Sequence, residues 1–173
     1  MSFSGDRTWQ DTKGLPPGLN MKKTDWCGMP SPCGLEDIIR ARARQTAREC
    51  GELFGDLTVR SEMFGDRGVV TVLQDDRYIV SKEFVESDES LNGPLRMTEY
   101  AQVILGKARL VVVVPKDRAV DVWLKMLELN RHWLFYYQLF YYDEEGYLHR
   151  LDRAAWRRLR GLPPDDGWHP EVA

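Results

Sequence analysis

A chain of 173 residues fits one domain and is long enough to bury a core without metals or disulfides. Its 24 Lys and Arg against 27 Asp and Glu leave a net charge of -3, which excludes a polycation that binds nucleic acid along its whole length. Hydrophobic residues at 43% exclude wholesale disorder, no apolar run reaches the ~20 residues of a membrane span, and three cysteines, an odd number, do not make a disulfide framework.

Residues 1–33 carry Pro16, Pro17, Pro30 and Pro32 with no apolar periodicity, and read as an irregular N-terminal segment. They hold no apolar core of a signal peptide, so a cytoplasmic chain without membrane attachment is expected. Residues 34–160 read as the folded domain. Residues 161–173, with Pro163, Pro164 and Pro170, read as a Pro-rich C-terminal tail.

Within the domain, Leu35, Ile39, Ala43, Ala47, Cys50 and Phe54 recur at helical spacing, and Gly55 follows as a stop. Arg40, Arg42, Arg44 and Arg48 fall on the remaining surface of that helix. Three β-type runs follow: Leu57–Phe64, Val69–Leu73 and Tyr78–Val85. Gln74-Asp75-Asp76-Arg77 between the last two reads as a tight hairpin. Glu86 to Pro94 reads as a polar, acidic loop. Leu95–Ala108 is predicted helical, with Met97, Tyr100, Ala101, Ile104 and Leu105 as its stripe. Leu110–Val114 has four consecutive valines, the pattern of a central strand covered on both faces. A helix over Ala119–Leu129 turns Val120, Trp123, Leu124 and Leu127 inward. Trp133–Tyr142 is a mostly aromatic strand, turned by Asp143-Glu144-Glu145-Gly146 into Tyr147–Leu151, and a basic helix Asp152–Arg160 closes the domain. The expected fold is one α/β domain. Its mixed sheet, a three-strand meander plus a crossover strand and a terminal hairpin, is flanked by helices.

This order, with the phrases RGVVTVL, DDRYIVSKEF, YAQVILGKARLVVVVP and HWLFYYQLFYYDEEGYL, resembles the PD-(D/E)xK, or restriction-endonuclease-like, nuclease superfamily over roughly Gly34 to Leu151. The resemblance implies a restriction-endonuclease-like fold. It also implies a Mg²⁺ site built from an Asp and a Glu with a neighbouring Lys, oxygen ligands for a hard cation beside a positive charge. Val69 stands where the Asp would be, Ser81 on the Glu and Glu83 on the Lys, so the member looks degenerate. The three residues are expected on one side of the meander. A migrated site would use Asp66, Glu83 and Lys82, with Glu52 from the first helix. Against it, Lys82 and Glu83 are adjacent and point to opposite faces of a strand.

Other constellations are weaker. Cys27 and Cys33 have five residues between them, wider than a zinc pair favours, and Cys50 sits on an apolar stripe, so no metal is expected. His132, His149 and His169 make no legible triad. Arg40, Arg44 and Arg48 on the first helix, with Arg157 and Arg158 on the last, would serve nucleic acid if they shared one face. The aromatic hairpin Trp133–Leu151, through Tyr136, Phe140 and Tyr142, would serve a protein partner or a second copy if it lies at the sheet edge. The expected function is a non-catalytic, nuclease-like binding or interaction protein connected with nucleic-acid processing, with no cofactor. The alternatives are an active nuclease using Mg²⁺ at the migrated site, and an unrelated α/β adaptor that binds protein through the aromatic hairpin.

Overall fold

Two tight turns build the first half of the sheet. In the computed structural model, Gly65, at φ 63°, closes β1 (Leu57–Phe64) onto β2 (Arg67–Gln74), with Phe64 opposite Arg67. Asp75 and Asp76 both take φ 53°, a conformation aspartate tolerates better than most residues, and the Arg77 N–H donates to the Gln74 carbonyl at 3.1 Å. That hairpin leads into β3 (Tyr78–Glu86). The structure describes residues 33–53, 56–130 and 137–164, without the side chains of residues 52, 53, 129 and 130.

Before the meander comes α1 (Leu35–Leu53). After it, Ser87 caps a short helix, α2 (Asp88–Leu91), through a reciprocal pair of bonds with Ser90. Then come α3 (Arg96–Leu105), β4 (Arg109–Pro115), a 3₁₀ turn at Lys116–Arg118 and α4 (Ala119–Asn130). β5 (Tyr137–Tyr142), β6 (Leu148–Arg150) and α5 (Arg153–Leu159) complete the domain. The six strands lie in the order β1-β2-β3-β4-β5-β6. β1, β2 and β3 are antiparallel, β4 runs parallel to β3 and β5 parallel to β4, and β6 returns antiparallel. The expected single α/β domain with a mixed sheet is what forms. Among the described residues no helix is long and apolar enough to cross a membrane.

The sheet separates two cores. On one face α1 sets Ile38 and Ile39 against Val70, Val85, Val111, Val113 and Phe140. On the other, Tyr100 and Ile104 of α3, Val122 and Met126 of α4 and Ala155 of α5 meet Phe84, Leu110, Val112, Val114 and Leu139. β4 feeds both cores, and Leu110 to Val114 are wholly buried, as the valine run predicts. At about 1.5–3 kcal/mol for each such side chain, this strand is the largest apolar contributor for its length. Gly68 lets α1 lie close to β2, because a Cβ there would come within 2.4 Å of Ile39.

Two helices are rotated from the expected phase. α1 buries Ile38, Ile39, Arg42 and Thr46, while Ala47 faces solvent and Leu35, Ala43 and Cys50 are half-buried. Alanine offers little area to bury, so an alanine stripe fixes the rotation of a helix weakly. An ion pair to the sheet fixes it instead. α4 buries Ala119, Val122 and Met126, and leaves Leu124 and Leu127 exposed. The Lys116–Arg118 turn runs Pro115 straight into α4 and brings Ala119 first against the sheet. Leu105 of α3 is also exposed. The expected acidic loop begins one residue too early: Glu86 ends β3 and is fully buried.

A buried carboxylate cluster as the candidate functional site

β3 carries two glutamates three residues apart, and alternation sends them to opposite faces. Both have no exposed surface. Glu83 points toward α1. Its carboxylate accepts from Arg42 Nε at 2.6 Å and a terminal Arg42 nitrogen at 3.2 Å. Thr46 Oγ1 donates at 2.9 Å, and Arg109 of β4 donates at 3.0 Å. Arg42 is itself fully buried, lies 4.3 Å above the Phe140 ring and has its other terminal nitrogen 3.5 Å from Glu49. Ser81 donates to the Arg109 carbonyl and accepts from Arg109 Nε, both at 3.2 Å. A buried charge is tolerated only when paired and hydrogen-bonded, and Glu83 has both forms of support.

Glu86 points toward α3. It accepts from the Tyr100 hydroxyl at 2.8 Å and from the Ser90 hydroxyl. Arg67 and Arg96 stand off at 3.8 Å each. Both arginines turn to Glu99, Arg67 in a fork at 2.5 and 3.2 Å and Arg96 at 3.0 Å. The Arg67 hydrogen bond is the main reason the Glu99 carboxyl lies below its usual range, with Arg96 adding to it. Burial, reinforced by Glu86, pushes the Tyr100 phenol far above its ordinary value, so it stays a donor. Tyr142 closes the strand end by donating its hydroxyl to the Glu86 carbonyl at 3.1 Å.

The residues of the alternative, migrated metal site are not brought together. Val69 pairs with Phe84 and lies in the α3-side core, on the opposite face from Ser81 and Glu83. This corrects the expectation that the three share a side. The residues paired with Glu83 and Ser81 are Val70 and Val72. A tight two-residue turn at Gly65-Asp66 starts β2 at Arg67, which sets its alternation one step from the expected phase. The placement of the strands on which the nuclease-like assignment rests therefore does not hold, and what remains is a mixed α/β order of elements. Asp66 sits in that exposed turn. Lys82 leaves the sheet on the α3 side, 5.5 Å from the Phe84 ring. The side chain of Glu52 lies outside the described residues. Glu83 already accepts four donors, so Asp66, Lys82 and Glu83 do not fit a Mg²⁺ ion, and among the described residues no group of three or more potential ligands gathers.

The basic residues divide. α1 packs on one face of the sheet and α5 on the other, so Arg40, Arg44 and Arg48 do not form one patch with Arg157 and Arg158. Arg40 is engaged by Glu36 and Asp37. Arg157 bonds the Pro163 carbonyl at 2.8 Å, and Arg160 lies 5.4 Å over the Trp156 ring. Arg44, Arg48 and Arg158 are exposed.

The aromatic strand is not at the edge: β5 lies between β4 and β6. Phe140 is 6% exposed and belongs to the α1-side core, and Tyr142 is half-buried and hydrogen-bonded. Phe140 therefore has little surface to offer a partner, while Tyr142 keeps part of its surface exposed. Parallel pairing to β4 needs both faces covered, and α1 and α5 supply the cover. Tyr136 and Trp133 fall outside the described residues, as do Cys27, His132 and His169. His149 stacks on Tyr141 at 4.9 Å and contacts Asp143 at 3.0 Å. Burial raises the Cys50 thiol despite the nearby Arg109, which leaves it a poor nucleophile. Beside α3 a cleft of about 370 Å³ is lined by Arg67, Lys82, Phe84, Glu99 and Gln102.

The residues the pattern did not flag are Arg42, Thr46, Arg109, Glu86 and Tyr100. One signal was present: a pair of glutamates flanking Phe84-Val85 at the end of β3 leads into a buried strand, where a carboxylate needs a partner whichever face it takes. In comparisons with known proteins, no family model, no curated protein and no solved structure matches this chain.

Proposed function

We propose that this chain is a non-catalytic binding protein built on a nuclease-like order of elements. One observation carries the reading: Glu83, the acid a migrated metal site would need, is neutralised by Arg42 and Arg109 and held by Thr46. A metal ligand needs a free lone pair facing the ion, and a nuclease lysine has to face the same pocket as its carboxylates. Lys82 projects from the other side of the sheet. The test is incubation with single- and double-stranded DNA and RNA in Mg²⁺ or Mn²⁺. No cleavage is expected. Cleavage that is abolished by Asp66→Asn or Glu83→Gln, in protein shown to be folded, refutes the reading.

The charge distribution favours an anionic ligand on one side. Arg150 ends β6, Arg153, Arg157 and Arg158 lie in α5 and Arg160 caps its end; Asp152 is the one acid between Leu148 and Arg160 and is used as the α5 N-cap. On α1 the arginines are diluted by Glu36, Asp37 and Glu49 or buried. Binding to nucleic acid through this surface should weaken steeply with salt, and Arg158→Glu should reduce both affinity and the salt slope. Salt-independent binding, or no effect of that substitution, removes nucleic acid as the ligand.

A further inference from the structure

We infer that β1 pairs with β1 of a second copy of this chain, antiparallel and centred on Ser61, to make one continuous sheet across two protomers. β1 is the outer strand of the described sheet, eight residues long, and its second half is exposed from Arg60 to Phe64. A long exposed edge presents a row of backbone donors and acceptors, which proteins either blunt or use for pairing. Here the side chains decide between the two.

The faces of β1 follow from its partners. Glu62 lies opposite Val69 and Arg60 opposite Thr71, so Thr58, Arg60, Glu62 and Phe64 share the α3 side of the sheet. Val59, Ser61 and Met63 share the α1 side. A two-fold axis normal to the sheet keeps each face continuous, and one residue must then lie opposite its own copy across the axis. Centred on Ser61, it sets Arg60 against Glu62 of the second copy and Glu62 against its Arg60. It also sets Val59 against Met63 and Thr58 against Phe64. Met63, 52% exposed in the single chain, gains an apolar neighbour in Val59, and Phe64, 53% exposed, is covered by Thr58. Moving the centre by one residue opposes Arg60 to Arg60 or Glu62 to Glu62. Cross-strand pairs of opposite charge stabilise and like pairs repel, so the sequence of β1 selects one register. Arg60 also contacts Asp76 at 3.0 Å, but both side chains are over half exposed, and such a pair is easily given up or shared. The inference does not depend on whether the chain is catalytic.

The experiment is solution mass by light scattering and sedimentation from micromolar to millimolar concentration, on the full chain. The wild type should reach about twice the 20.1 kDa chain mass. Arg60→Glu and Glu62→Arg should each weaken dimerisation by roughly tenfold or more, since each places two like-charged pairs across the axis. Combining both restores opposite charges and should restore the dimer, with circular dichroism and thermal unfolding confirming that every variant is folded. A wild type that stays monomeric throughout overturns the inference. So does a dimer indifferent to the single reversals, or a double variant no better than the singles.

Discussion

Glu83 and Glu86 are the same residue type on the same strand, three positions apart and equally buried, yet their surroundings differ in kind. Glu83 is met by two guanidinium groups and one hydroxyl in direct contact. Glu86 is met by two hydroxyls, with two guanidinium groups held back at 3.8 Å and turned to Glu99. One acid is stabilised by opposite charge at contact distance. The other is stabilised by hydrogen-bond dipoles, with cations supplying a longer-range field. The contrast teaches that burial alone does not dictate how a carboxylate is satisfied. It also separates two kinds of sensitivity to substitution, and each can be measured by denaturant unfolding.

The largest effect belongs to Glu83. Glu83→Leu leaves Arg42 without its partner in a fully buried position, and the expected loss is about 3–5 kcal/mol. Arg42→Met should cost a similar amount from the other side. The double variant, Arg42→Met with Glu83→Leu, should recover most of the loss, because Arg109 and Glu49 are both partly exposed and can turn to water. Additive losses in the double variant would show that the pair is not the unit it looks to be.

A smaller effect belongs to Glu86. Tyr100→Phe removes one hydroxyl donor to a carboxylate and keeps the ring against Phe84, 5.3 Å between centroids. The expected cost is about 1.5–3 kcal/mol. A loss as large as that of Glu83→Leu would erase the distinction between the two acids.

The smallest effect is a pH dependence carried by Glu99, which absorbs the two arginines that Glu86 leaves free. Folding lowers its carboxyl through Arg67 and then Arg96, so its contribution is complete above the unfolded value of 4.5 and is lost as pH falls through the folded value. The gap in stability between the wild type and Glu99→Gln should therefore be constant near neutrality and should close below about pH 4.5. A gap that persists in acid would mean that Glu99 contributes by shape rather than by charge.

Much of the frame was legible in the sequence. Four valines followed by proline declared the central strand, and Gln74 to Arg77 declared the hairpin, because burial and turn chemistry there are local properties. The phase of α1 was not legible. Its apolar stripe suggested one rotation, while Arg42, read as surface, defines another through a contact 41 residues away. The β2 phase failed by one residue for a related reason: Val69, Val70 and Val72 are all apolar, so nothing in the strand itself marks its faces. Whether the aromatic strand lay inside the sheet or at its edge stayed open, because its hairpin partner was easy to see and its parallel partner was not. Long-range pairing decided each case, and single-sequence periodicity carries no term for it.

β4 has a consequence for how the molecule comes apart. Its odd valines lock into the α1 layer and its even ones into the three-helix layer, while β3 and β5 occupy its two edges. A local fluctuation can lift α1, or fray β6, and leave the amides of Val111 to Val113 as they were. Releasing those amides means parting both layers together. Their exchange with solvent deuterium is therefore tied to the global opening of the domain, and the kinetic lifetime of the fold is written in this one strand.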